Sequence, residues 1–125
     1  MNDQNLRIDG YHAHIYYDPP SSRRTAEKLA AAVSRKFAVQ IGGFFDGPVG
    51  PHPVANLQII FAPAEFARVV PWLMLNRNGL DVLVHPLTDD ALRDHDSDGL
   101  WLGTQLKLRP HMHSRDYAPE LLPSA

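Results

Sequence analysis

The stretch YHAHIYY, residues 11–17, places His12 and His14 one residue apart in an otherwise apolar run. Side chains alternate along a strand, so the two imidazoles share one face if this run is extended. Neutral imidazole is the commonest side-chain ligand for iron, zinc, copper and nickel, and it titrates near neutrality. Such a pair can hold a metal or move a proton. His52 lies in the proline-rich stretch GPVGPHP, and His85 closes the apolar run LDVLVHP. A cavity shared by these four would be a metal site. Each alone carries less weight, because a single strand histidine more often satisfies hydrogen bonds than binds a metal. His95, in RDHDSDG, reads as a surface or helix-end residue, and His111 and His113, in HMH, fall in a polar tail.

The surrounding elements decide whether these residues can meet. Residues 10–17 alternate, with Tyr11, Ala13, Ile15 and Tyr17 on one side and His12, His14 and Tyr16 on the other. Pro19 and Pro20 end that strand. Ser21 or Ser22 is then expected to cap a helix whose apolar positions are Ala26, Leu29, Ala30, Val33 and Phe37. Residues 38–45 read as a second strand weakened by Gly42 and Gly43, and residues 46–53 as a loop rich in glycine and proline. NLQIIFA is a third strand. PAEFARVVPWLMLNRNG follows as a helix, with Pro63 in its first turn, Pro71 predicting a kink or a late start, and Gly79 at its C-terminal end. Residues 80–86 form a fourth strand, Thr88 is expected to cap a short helix, and LWLGTQLKL reads as an edge strand or an extended arm.

That order predicts an α+β, ferredoxin-like split βαβ sandwich: a four-stranded antiparallel sheet with two helices on one face, and a C-terminal extension. The domain is expected over residues 8–108, with residues 109–125 as a tail. Strands one and three would be central, with strand four beside strand one. Tyr11, Ala13, Ile15, Val82 and Val84 would then face the helices, which sends His12, His14 and His85 to the opposite face. Something must hide that face, since large bare apolar patches are uncommon. A partner copy, a ligand or the C-terminal segment could do so.

Composition narrows the function classes. The chain has 125 residues, 44% of them hydrophobic and 21% charged, with a formal charge of −2. This suits one globular domain and argues against a nucleic-acid binder, which would carry a basic face. No cysteine is present, so disulfides and thiolate metal sites are excluded. No window approaches the roughly 18 apolar residues of a membrane span, and residues 1–10 lack the apolar core of a signal peptide. The expectation is a soluble, cytoplasmic protein.

Taken together, YHAHIYY, GPVGPHP, LDVLVHPLT and DHDSDGLWLG resemble the DOPA 4,5-dioxygenase family, over residues 11–103 and in the same order and spacing. The resemblance implies a ferredoxin-like fold, usually a homodimer, and a non-haem Fe(II) extradiol dioxygenase acting on a catechol such as L-DOPA and on O2. Zinc or nickel could occupy the site in purified protein. Carried over residue by residue, it marks His12, His14, His52 and His85 as metal-site residues. His14, His52 and His85 are the first choice of ligands and His12 the next. His12 and His95 are the candidates for acid/base or supporting roles. The common oxygenase triad is two histidines and a carboxylate. Asp46 is the nearest acidic residue, and it reads equally well as a turn former. Tyr16, Phe44, Phe45, Trp72 and Trp101 are candidates to pack a substrate ring, and Arg23, Arg24, Arg77 or Arg109 to bind a carboxylate. Two other classes fit the same residues. One is a dimeric module that binds a metal or small aromatic without turnover. The other is a cofactor-free monooxygenase or isomerase using His12 or His14 as base.

Overall fold

The computed structural model describes residues 7–109 and 117–123; His111 and His113 lie outside them. Tyr11–Tyr16 forms β1, Val39–Phe45 β2, Asn56–Phe61 β3, Val82–Pro86 β4 and Leu100–Leu102 β5. The helices are Pro19–Lys36 (α1), Phe66–Asn76 (α2) and Ala91–His95 (α3). All strand pairs are antiparallel and the order is β2-β3-β1-β4-β5. β1 therefore sits between β3 and β4, as the helix-and-strand order predicts. The α+β class is observed, but the sheet has five strands rather than four, and a third helix. LWL is the extra strand: three residues are too few for alternation to identify it, and only its pairing with β4 does.

Alternation divides the sheet cleanly. Ala13, Ile15, Leu57, Ile59, Phe61, Val82 and Val84 face α1 and α2, where Ala26, Leu29, Ala30, Val33, Val69, Val70 and Leu73 complete one core cluster. Each fully buried aliphatic side chain of this kind contributes roughly 1.5–3 kcal/mol, enough together to fix the register. A slip of one residue would turn every histidine of β1 into that core. The opposite face is buried as well, and all six residues of β3 are shielded. It is covered by the proline loop, by α3 and by residues 117–123.

Local chemistry shifts several element ends. Helix α1 starts at Pro19, ahead of the serines, because proline needs no donor in a first turn. Asp18 is the cap residue, and its carbonyl accepts from the Ser21 and Ser22 amides. A 3-10 turn at Pro63–Glu65 precedes α2, which runs through Pro71. α2 ends before Gly79, through Asn78 and Gly79 at φ 57° and 78°. Asp90 rather than Thr88 caps α3, accepting from the Arg93 amide. β2 carries a bulge between Ile41 and Gly43, with Gly43 at φ 152°. No helix among the described residues is long and apolar enough to cross a membrane.

Truncating Ile59 to alanine should cost about 2–5 kcal/mol of unfolding free energy, whereas Leu75→Ala, at an exposed helix position, should stay within about 0.5 kcal/mol. Urea denaturation of both variants checks this.

Candidate metal centre

The register of β1 sets the site. His12 lies directly opposite His85 on β4, and His14 opposite Leu83 on one side and Gln58 on the other. Direct partners in an antiparallel pair share a face, so His12, His14 and His85 stand together on the side away from α1 and α2. His52 reaches the same place from a tight turn. The amides and carbonyls of Val49 and His52 bond reciprocally across Gly50 and Pro51, with Gly50 at φ 51°. Arg109 holds that turn, its amide donating to the Pro51 carbonyl and its guanidinium to the His52 carbonyl. His95 ends α3 and folds inward over His85, ring centroids 3.7 Å apart. All five imidazoles are buried.

Their nitrogens converge. Two sets of three, His12 with His14 and His85, and His14 with His52 and His95, each offer ligand atoms within 4.8 Å of one another. The expected trio His14, His52 and His85 is thus divided between the sets, with His14 in both. His14 Nε2 and His85 Nε2 approach to 3.1 Å. The outer nitrogen of each ring is already committed. His85 Nδ1–H donates to the Pro86 carbonyl at 2.9 Å, and His14 Nδ1–H to Asn56 Oδ1 at 3.0 Å. The Pro86 backbone carbonyl only accepts, so the His85 proton sits on Nδ1 and its Nε2 lone pair faces His14 Nε2 across 3.1 Å; with Asn56 Oδ1 as acceptor, His14 presents a lone pair there as well. His95 Nδ1–H donates to the Ala91 carbonyl, and His12 Nε2–H to the Leu121 carbonyl, fixing those tautomers in the same way.

A bare pair of lone pairs at that distance is repulsive, and a cation between them removes the conflict. Two imidazoles bound to one ion at about 2.0–2.1 Å each have their nitrogens roughly 3–3.5 Å apart. The spacing here fits. Outward donation from each ring to a carbonyl or amide oxygen is also the usual support of metal-bound histidine. Electrostatics favour the ligand form. Burial, followed by the nearby His52, His85, His12 and His95, holds His14 well below its ordinary 6.5. Burial, then His95 and His12, does the same for His85, against a smaller opposing effect of the Pro86 carbonyl. Both rings stay neutral.

Beside the cluster lies a pocket of about 280 Å³, walled by Leu92, Trp101, Leu106 and Leu108, with Asp96, Gln105 and Lys107 as further polar groups. Of the five histidines, His95 is the one that lines it. Trp101 is held by stacking on Tyr16, centroids 5.8 Å apart and 17° from parallel. The Tyr16 hydroxyl is hydrogen-bonded to His52 Nδ1 at 2.8 Å, and burial raises its pKa far above 10.

Several expected residues stand elsewhere. Asp46 is turned away from the cluster, accepting from the Tyr17 hydroxyl and from Arg23, which also stacks over Phe44. Trp72 packs against Phe37 on the helical side. Arg77 donates to the Met74 carbonyl, and Arg109 braces the His52 turn. His95, expected at a surface or helix end, does end a helix but is 4% exposed, because the short α3 folds back over the sheet. Three partners escaped the sequence: Asn56, Asp94 and Tyr117. Asn56 gave a signal, an amide at the mouth of an apolar strand. Asp94 begins the DHDSDG motif but resembles any surface aspartate. Tyr117 lies beyond the motifs altogether.

Comparison with known proteins agrees with these motifs. The sequence profile of the Dopa 4,5-dioxygenase family matches residues 11–112. A DOPA 4,5-dioxygenase of Amanita muscaria is 36% identical over 109 residues, covering 81% of this chain and 48% of that protein. An uncharacterized 21.2 kDa protein of Botryotinia fuckeliana is 36% identical over 109 residues, covering 78% of this chain and 60% of that protein. The chain therefore spans about half to three-fifths of the length of these curated relatives. A crystal structure from Nostoc punctiforme, described as a "putative dioxygenase", superposes with a TM-score of 0.84 at 47% identity, covering 89% of this chain and 96% of that one. The chain belongs to the Dopa 4,5-dioxygenase family.

Proposed function

We propose that this protein is a ferrous extradiol dioxygenase that opens the ring of a catechol, with L-DOPA as the first substrate to try. Family membership supplies the reaction class. The observation that carries the metal is the approach of His14 Nε2 to His85 Nε2 at 3.1 Å, with the outer nitrogen of each ring bonded to Asn56 Oδ1 or the Pro86 carbonyl.

His14 and His85 are the firmest ligands, with His12 as the third. An iron held there would supply the Lewis acidity that makes a catechol easier to deprotonate and a place for O2 beside it. The protein does the rest. The pocket lined by Trp101, Leu92 and Leu108 takes the ring and excludes water from it. His95 meets that pocket with Nδ1–H held by the Ala91 carbonyl, so Nε2 is its basic nitrogen and can accept a catechol proton. His52, hydrogen-bonded to Tyr16, stands beside His95 with ring centroids 5.5 Å apart and helps hold it in place. Neutral rings need no proton removed before they bind the metal, so binding should persist below pH 6.5.

The decisive test is oxygen uptake by anaerobically iron-loaded protein given L-DOPA and a panel of catechols. Uptake with a yellow ring-opened product is expected. Tight binding of a catechol with no uptake above the free-iron control would replace the enzyme by a binding module, and uptake that survives chelation would point to metal-free chemistry. His14→Ala should remove metal affinity by more than about 100-fold, because His14 belongs to both ligand sets. Metal analysis after dialysis reads this.

The metal-free protein should also lose stability in acid. The unfolded chain takes up protons on His14 and His85 below about 6.5, and the folded protein does not. The stability these rings contribute is therefore complete above 6.5 and declines as the pH falls towards their depressed folded values. Melting temperatures from pH 8 to pH 5 check the sign; a rise on acidification would contradict it.

A further inference from the structure

We propose that residues 117–123 are a built wall of the metal centre, whose contacts position His12 and slow the escape of the metal. This rests on the metal-binding reading above. The family match ends at residue 112, so nothing in that match assigns these residues a role.

Five contacts carry the proposal. The Leu121 carbonyl, at the end of the 3-10 turn Pro119–Leu121, accepts from His12 Nε2–H. A carbonyl cannot donate, so this bond puts the His12 proton on Nε2 and leaves Nδ1 as its ligand nitrogen. The Tyr117 ring lies parallel to that of His85, 8° apart at 6.3 Å, and edge-on to that of His12 at 5.8 Å. The Tyr117 hydroxyl donates to Asp94 Oδ2 at 2.8 Å, and Asp94 is fully buried, with the Thr88 amide and hydroxyl donating to the same carboxylate. Pro123 closes the far end against Gly10, where any Cβ would lie 2.4 Å from Pro123 Cγ.

These contacts form a device with two anchors and one working contact between them. Asp94 and Gly10 fix the ends, and the Leu121 carbonyl meets a histidine in the middle. An apolar cover for the sheet would need neither a buried carboxylate to receive a tyrosine nor a carbonyl at His12. Tyr117 and Leu121 are therefore positioning residues, acting through His12 and His85 rather than on substrate. They close the sheet side of the cluster, and approach is left from the pocket at His95.

Two measurements on the full chain and two variants test this: a truncation lacking residues 117–125, and Gly10→Ala, whose Cβ meets Pro123 first and the Phe61 carbonyl at 3.1 Å. In the metal-free protein, proton–nitrogen correlation spectra should show His12 as the Nε2–H tautomer in the full chain and as a mixture in both variants. In zinc-loaded protein, transfer of zinc to a colorimetric chelator should be faster by at least about tenfold in both variants. Should the truncation fail to fold, Gly10→Ala decides alone. Retention of the Nε2–H tautomer together with wild-type zinc release would overturn the proposal. Failure of the full chain to take up zinc at all would instead remove the metal-binding reading, and the metal-free spectra would still show whether the Leu121 carbonyl sets His12.

Discussion

Two neutral imidazole nitrogens held 3.1 Å apart on a buried sheet face are the constraint on which the site depends. Burial prevents either ring from relieving the contact by taking a proton, since both are pushed well below 6.5. The outward hydrogen bond to the Pro86 backbone carbonyl fixes the His85 proton on Nδ1, and Asn56 Oδ1 holds that of His14. A cation shared between them would remove the conflict, and that is the reading proposed above. The same features that cost stability in a purely structural core would suit a metal site.

The fold exists in two halves with different tasks. One face of the sheet, against α1 and α2, is a conventional apolar core whose interlocking side chains fix strand register. The other is polar and buried, and it inherits its geometry from the first. Because Ala13 and Ile15 must face the helices, His12 and His14 must face away. Because Val82 and Val84 must do likewise, His85 joins them opposite His12. The histidines are positioned by residues they do not touch. Loop and helix additions, the Gly50–Pro51 turn and α3, then bring His52 and His95 over the strands.

Much of this was legible in the chain. Alternation along two strands predicted three imidazoles on one face, and glycine and proline predicted the loop that delivers His52. The structure brings all four marked histidines together with His95. Less visible was anything that depends on non-local packing. LWL is too short to display a period, so the fifth strand emerged only from its pairing with β4. The burial of His95 depends on a five-residue helix folding back, and helix-end position alone cannot distinguish that from exposure. Asp94 and Tyr117 meet across 23 positions of sequence, and the Leu121 carbonyl reaches His12 across 109. Backbone acceptors leave no signature in side-chain type. Asp46, the nearest acidic residue to the motifs, bonds Tyr17 and Arg23 instead, whereas the buried carboxylate near the site, Asp94, receives a tyrosine and a threonine.

The central claim is that one ion is shared by His14 and His85. Anomalous diffraction at a metal absorption edge, from crystals soaked in ferrous iron or zinc, tests it most directly. The account predicts a single strong peak within about 2.2 Å of both Nε2 atoms, with Nδ1 of each ring still bonded to Asn56 and Pro86. A difference map without a peak there, and the two rings joined by an ordinary N–H to N hydrogen bond, would contradict it.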